Sequence, residues 1–195
     1  HAMLAPNLST NYLGLKLSSP LIVGASPFCD SIDAARRLVD AGASAIVMRS
    51  LFEEQIDYEQ KALSFLLETP SESFAEATSY FPGYSEYQLT PDQYLKQITR
   101  LKSSLPIPVI ASLNGHRPGG WTDYAVRMEQ AGADAIELNL YQLITDPAQS
   151  GDEIEADMLQ TVRDVSTSIK IPVAVKISPF HTAPAQFALA LDVAR

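Results

Sequence analysis

The chain has 195 residues, 46% of them hydrophobic, which is enough for one domain with a buried core and too apolar for a disordered or fibrous protein. Against 14 Lys and Arg stand 23 Asp and Glu, and a net charge of −9 gives no general attraction for nucleic acid or an anionic membrane surface. A single cysteine, Cys29, excludes an internal disulfide framework and a thiolate zinc cluster, and suits a reducing, cytoplasmic compartment.

No apolar run reaches the ~20 residues of a bilayer span, and no charged leader precedes an apolar stretch. Residues 11–17 (N-Y-L-G-L-K-L) alternate like the arm of a small hairpin, expected over about 8–18, before a first core strand at about 20–24. A helix over 31–41 then runs into Ala-Gly-Ala and a strand over 44–49. The same joint recurs: residues 38–49 (L-V-D-A-G-A-S-A-I-V-M-R) are echoed by 128–139 (M-E-Q-A-G-A-D-A-I-E-L-N). In both, an amphipathic helix reaches a glycine suited to the left-handed cap conformation, and a short apolar strand follows.

Between these repeats the pattern predicts a helix over 53–67, an insertion over about 68–90, and a helix over 91–104. Pro106 and Pro108 stop that helix ahead of a strand at 108–113. The insertion is long for a compact domain and carries Phe74, Tyr80, Phe81, Tyr84 and Tyr87, which fit either an ordered lid or packing on a rim. Helices over 120–131, 153–169 and 184–194 and strands over 134–139 and 172–177 complete the series. Strands alternating with helices imply a parallel sheet, covered on both faces or closed as a barrel.

The strands are apolar until their last residues, where Ser26, Arg49, Ser50, Asn114, Glu137, Asn139, Lys176 and Ser178 appear. Active sites of parallel α/β folds form at these carboxyl ends. An unpaired ammonium at the end of Val-Ala-Val-Lys-Ile would be costly to bury, so Lys176 is expected to meet an anion, a cofactor or a substrate. Glu137, which alternates with Asn139 on one face of its strand, could pair with Lys176 on the next strand, a reading favoured over a catalytic role for it. The amides of Asn114 and Asn139 can both donate to and accept from a planar heterocycle, and fit equally as residues that turn a strand into a loop. Ala25 and Ser26 form a small-residue turn that lets a ligand approach the backbone. Cys29 reads as a packed residue, not a nucleophile. There is no phosphate-binding glycine loop, and His116 and His181 lack the spacing of a metal site, so no metal is expected.

Taken in order, Y-L-G-L-K-L-S-S-P-L-I-V-G-A-S, A-G-A-S-A-I-V-M-R-S, P-V-I-A-S-L-N-G, A-G-A-D-A-I-E-L-N-L and I-P-V-A-V-K-I-S-P resemble the dihydroorotate dehydrogenase family over nearly the whole chain. That resemblance implies a (β/α)8 TIM barrel with FMN lying across the carboxyl ends of its strands. It implies oxidation of dihydroorotate, or a related dihydropyrimidine carboxylate, to the orotate-type product of pyrimidine biosynthesis. Matched position by position, Ala25, Ser26, Ser50, Asn114, Asn139 and Lys176 fall on cofactor-binding positions, and Arg49, Asn114 and Asn139 on substrate-binding ones.

The sequence departs from the family pattern where the chemistry lies. Arg49 stands where a lysine is usual. Tyr141 and Gln142 stand where a Ser or Cys base is usual, which leaves Tyr141 as the catalytic candidate. The family's Asn-x-Met-Gly substrate motif is replaced by residues 79–83 (S-Y-F-P-G). Two other readings stay open: a Schiff-base aldolase using Lys176, and a non-catalytic flavin-binding relative lacking the base. The expected partner is a small-molecule substrate, with a homodimer left open.

A closed (β/α)8 barrel takes about 250 residues. Residues 3–195 are therefore expected to be one partial barrel domain, the first five strand-helix units, forming an open parallel arc.

Overall fold

The computed structural model describes residues 6–52, 89–114, 121–141, 148–177 and 184–193. The helix expected over 53–67 lies outside the described residues, as do Gln142, Ser178, His116, His181 and the insertion up to residue 88. Of that insertion, expected over about 68–90, only Leu89 and Thr90 are described. The Thr90 side chain caps the following helix in a reciprocal capping box with Gln93.

In chain order the elements are β1 (Thr10–Tyr12), β2 (Leu15–Leu17), β3 (Ile22–Val23), a 3-10 turn (Pro27–Cys29), α1 (Ile32–Asp40) and β4 (Ala45–Phe52). There follow α2 (Pro91–Ser104), β5 (Val109–Asn114), α3 (Trp121–Gln130), β6 (Ala135–Leu140), α4 (Gly151–Ser168), β7 (Val173–Ile177) and α5 (Pro184–Val193). The first two strands form an antiparallel hairpin, and the other five form a parallel sheet in the order β3-β4-β5-β6-β7. Each strand lies beside its predecessor. A doubly wound sheet reverses direction at a switch point; this order does not, and it is the winding of a barrel.

The two faces of the sheet have different companions. On the outer face, Ile46, Met48, Leu51, Val109, Leu113, Ile136 and Leu138 pack with Ile98 and Leu101 of α2, Met128 of α3 and Val165 of α4. On the inner face, Ala45, Val47, Ile110 and Ala135 pack against Leu17 of the hairpin, and no helix contributes among the described residues. The hairpin thus covers the inner face at the amino ends of the strands. At the carboxyl ends the inner face is polar.

Both Ala-Gly-Ala repeats make the same joint. Gly42 and Gly132 have φ of 103° and 101°. Gly42 N–H donates to Val39 O (2.9 Å) and Ala43 N–H to Leu38 O (3.0 Å); Gly132 N–H donates to Glu129 O (3.0 Å) and Ala133 N–H to Met128 O (3.1 Å). These are Schellman caps, which require the left-handed residue at that place. Carboxylates then fix the next strand. Asp134 accepts from the Val109 N–H (2.8 Å) while holding Lys102 (2.6 Å), and Glu129 accepts from Lys170 and Ile171 N–H (2.8 and 3.1 Å).

Strand β4 runs three residues beyond the predicted end at 49. Its register with β5 shifts between Val47 and Ser50: Met48 and Arg49 stand opposite Ala111 alone. This is a β-bulge, and one extra residue reverses which face the following side chains meet. Leu51 therefore enters the outer core, 1% exposed, and Ser50 meets the inner-face residue Ser112.

Candidate functional site

Three neighbouring strands bring Ser50, Ser112 and Asn139 together. The hydroxyls of Ser50 and Ser112 are 2.8 Å apart, and the Asn139 amide nitrogen donates to both, at 3.0 and 2.9 Å. The three bonds close a ring only if the nitrogen of Asn139 faces the serines. With the amide reversed, both hydroxyls would have to donate to its oxygen and none would remain for their own contact. Asn139 is 3% exposed, and its oxygen Oδ1 is buried with no hydrogen-bond partner among the described residues.

Two further atoms share that condition, Ser26 Oγ and Glu137 Oε1. A buried polar atom without a partner costs about 1–3 kcal/mol. Two of the three lie at the carboxyl end of β6 and one in the turn after β3, the end of the sheet at which parallel α/β folds bind their ligands.

Lys176 sits on β7 opposite Asn139 in register. Its Nζ is 3.4 Å from Glu137 Oε1, as the sequence predicted, though the angles fall short of a hydrogen bond. The Lys176 ammonium also lies 5.7 Å from the centre of the Tyr141 ring, within cation-π range. One expectation needs correction: the Lys176 side chain is 46% exposed, on the last strand of the arc, with no strand paired beyond it among the described residues. Its charge therefore does not by itself demand a buried anion.

The other candidates divide. Asn114 ends β5, half-buried, paired in register with both Phe52 and Asn139. Arg49 turns toward the 3-10 turn, where its Nη2 and Nε meet the Asp30 carboxylate at 3.0 and 3.1 Å. Ala25, Arg49 and Ser50 share a cleft of about 270 Å³ with Leu51, Phe52, Leu89 and Tyr94. Tyr141 follows β6 directly, 44% exposed. Cys29 is 1% exposed, and burial, with a smaller push from Asp30, raises its thiol to about 11. It is a packed residue, as its sequence context suggested.

Sequence reasoning passed over Ser112. The signal was present: in Val-Ile-Ala-Ser-Leu-Asn it lies two residues before Asn114 and so on the same face of the strand. Tyr94 was also missed, and nothing in a helical sequence distinguishes it from a core aromatic. Its hydroxyl accepts from Ser112 N–H at 2.9 Å and donates to Ser112 O at 3.2 Å.

The fold and the site together define a singly wound parallel α/β protein of barrel type, with its unsatisfied polar atoms at the carboxyl ends of the strands. The resemblance to the dihydroorotate dehydrogenase family, carried by the five motifs, is met by curated relatives from several species. A dihydroorotate dehydrogenase A (fumarate) of Aeropyrum pernix is 28% identical over 88% of this chain and 54% of its own length. The catalytic subunit of dihydroorotate dehydrogenase B (NAD(+)) of Thermoplasma volcanium is 25% identical over 89% of this chain and 54% of its own length. The NAD-dependent dihydropyrimidine dehydrogenase subunit PreA of Escherichia coli K12 is 24% identical over 91% and 43%. The chain thus spans about half the length of the curated relatives it matches. No family model matches it.

Among solved structures, a phosphonomutase-type protein of Burkholderia cenocepacia has a TM-score of 0.51 at 17% identity, over 91% of this chain and 67% of that one. A dihydrodipicolinate synthase of Agrobacterium tumefaciens has a TM-score of 0.51 at 15% identity, over 88% and 50%. At these identities the likeness is one of fold. Among the described residues no helix is long and apolar enough to cross a membrane.

Proposed function

We propose that this chain carries the ring-facing half of the site of an FMN-dependent oxidoreductase, acting on dihydroorotate or a related dihydropyrimidine in pyrimidine metabolism of the cytoplasm. Its five strands are, in this reading, the first five of a (β/α)8 barrel, with residues 3–195 as one partial domain. Similarity to dihydroorotate and dihydropyrimidine dehydrogenases supports an oxidoreductase of this kind. The observation that carries the cofactor is the pair of unsatisfied atoms Glu137 Oε1 and Asn139 Oδ1 on β6, beside Lys176 of β7, with Ser26 Oγ likewise unsatisfied in the turn after β3. Acceptor oxygens of Glu137 and Asn139 beside the donating Lys176 ammonium fit a planar ring with both N–H and carbonyl groups along its edge.

A bound flavin would supply the two-electron acceptor. The chain's own residues then have distinct tasks. Asn139, its nitrogen spent on Ser50 and Ser112, offers only an acceptor oxygen. One hydroxyl proton of the serine pair is left over to donate. Lys176 supplies positive charge where negative charge would otherwise be unfavourable. Ala25, directly before Ser26, leaves the turn open to close approach. Tyr141, at the family's base position and beside Lys176, is the group placed to exchange a proton with substrate.

The test is reconstitution. Protein mixed with FMN and freed of excess should retain flavin with a perturbed visible spectrum, and Asn139→Ala should weaken retention at least tenfold. Protein that holds no flavin at saturating FMN defeats the reading. A second reading, imine formation on Lys176, is favoured by the exposure of that side chain. Borohydride trapping with aldehydes and ketones decides it: covalent modification at Lys176 supports the aldolase, and none opposes it.

A further inference from the structure

At the bulge in β4 the ladder with β5 is interrupted, and main-chain groups at such a point lose their regular partners. The Tyr94 hydroxyl fills that gap. It reaches from α2, 2% exposed, and serves both polar groups of one residue, accepting from Ser112 N–H at 2.9 Å and donating to Ser112 O at 3.2 Å. Burial raises the phenol above its ordinary titration range, which favours the protonated form that donates to Ser112 O. The side chain of this same Ser112 is the middle member of the ring with Ser50 and Asn139.

We infer that Tyr94 is a positioning residue: by clamping the backbone of Ser112 at the bulge, it fixes the serine pair and thereby the direction in which Asn139 presents its oxygen. The bulge turns Ser50 inward, and a strand free to slip there would turn it outward again. Tyr94 removes that freedom from α2, through its two hydrogen bonds to the main chain of Ser112. The inference rests on the strand-end ring as the site of the proposed function, but its first readout needs no flavin.

Tyr94→Phe keeps the ring and removes only the hydroxyl. Nuclear magnetic resonance of the full chain should show the Asn139 side-chain amide protons protected in the unaltered protein, and exchanging roughly tenfold faster or more in Tyr94→Phe. Val165→Ala, a core substitution on α4, serves as a control, lowering stability while leaving the Asn139 amide resonances in place. Unchanged Asn139 protection in Tyr94→Phe overturns the inference.

A second measurement uses the unaltered protein alone. If the clamp holds the ring, the Ser112 main-chain amide and the Asn139 side-chain amide open together and share one urea dependence; separate dependences overturn the inference. FMN retention adds the functional arm, expected to fall about tenfold in Tyr94→Phe and not in Val165→Ala. An altered Asn139 signal in a protein that takes up no FMN would refute the flavin reading and leave the positioning role standing.

Discussion

At the scale of single residues, the site is made by hydrogen-bond arithmetic. Asn139 has two N–H donors and both are used within the fold, so what remains is an acceptor. Asn139→Asp removes both donors and places a second carboxylate two residues along the strand from Glu137. The expected cost is about 2–3 kcal/mol in urea denaturation, and an unchanged midpoint would show that the ring contributes nothing to folding.

Cys29 offers a separate check. Its thiol, raised from 9.0 to about 11 by burial, keeps its proton in the folded chain over a range in which the unfolded chain has lost it. Between those values the native state binds more protons than the unfolded state, so stability falls as pH rises from about 9 to 11. Cys29→Ala should lose that segment of the alkaline decline. In the folded protein at pH 8 the thiol should resist a chromogenic disulfide reagent and react fully in urea; rapid native reaction would contradict its burial.

At the scale of elements, the repeated joints were legible because their chemistry is local. A Schellman cap needs one left-handed residue, and glycine announces it. Gly42→Ala and Gly132→Ala should each cost about 1–2 kcal/mol, since φ near 100° strains any L side chain. The two joints are far apart in sequence and share no bonded partner, so the double variant should show the sum. Proline stops and the change from apolar to polar at strand ends were equally readable. What escaped was set by long-range pairing. Nothing in A-I-V-M-R-S-L-F states that Met48 and Arg49 face a single residue of β5, because a bulge is a property of two strands at once. The predicted strand therefore ended three residues early. Tyr94 escaped for the same reason: its partner is main chain on another element, 18 residues away. The half-exposure of Lys176 follows from the position of β7 at the edge of the arc, which a strand's own sequence does not encode.

At the scale of the whole molecule, the order β3-β4-β5-β6-β7 with helices on one face and a hairpin on the other explains why the site lies where it does. The hairpin covers the amino ends of the inner face, and among the described residues its carboxyl ends are the polar part. There the apolar lining of Ala45, Val47, Ile110 and Ala135 gives way to Ser50, Ser112, Glu137, Asn139 and Lys176. The central claim is that this polar crescent faces a flavin that takes electrons from a dihydropyrimidine. The visible absorbance spectrum of the FMN-treated protein, recorded without oxygen before and after dihydroorotate or a related dihydropyrimidine is added, tests it most directly. The account predicts bound flavin that bleaches on addition of substrate; a protein that retains no flavin, or a bound flavin that none of these compounds bleaches, would contradict it.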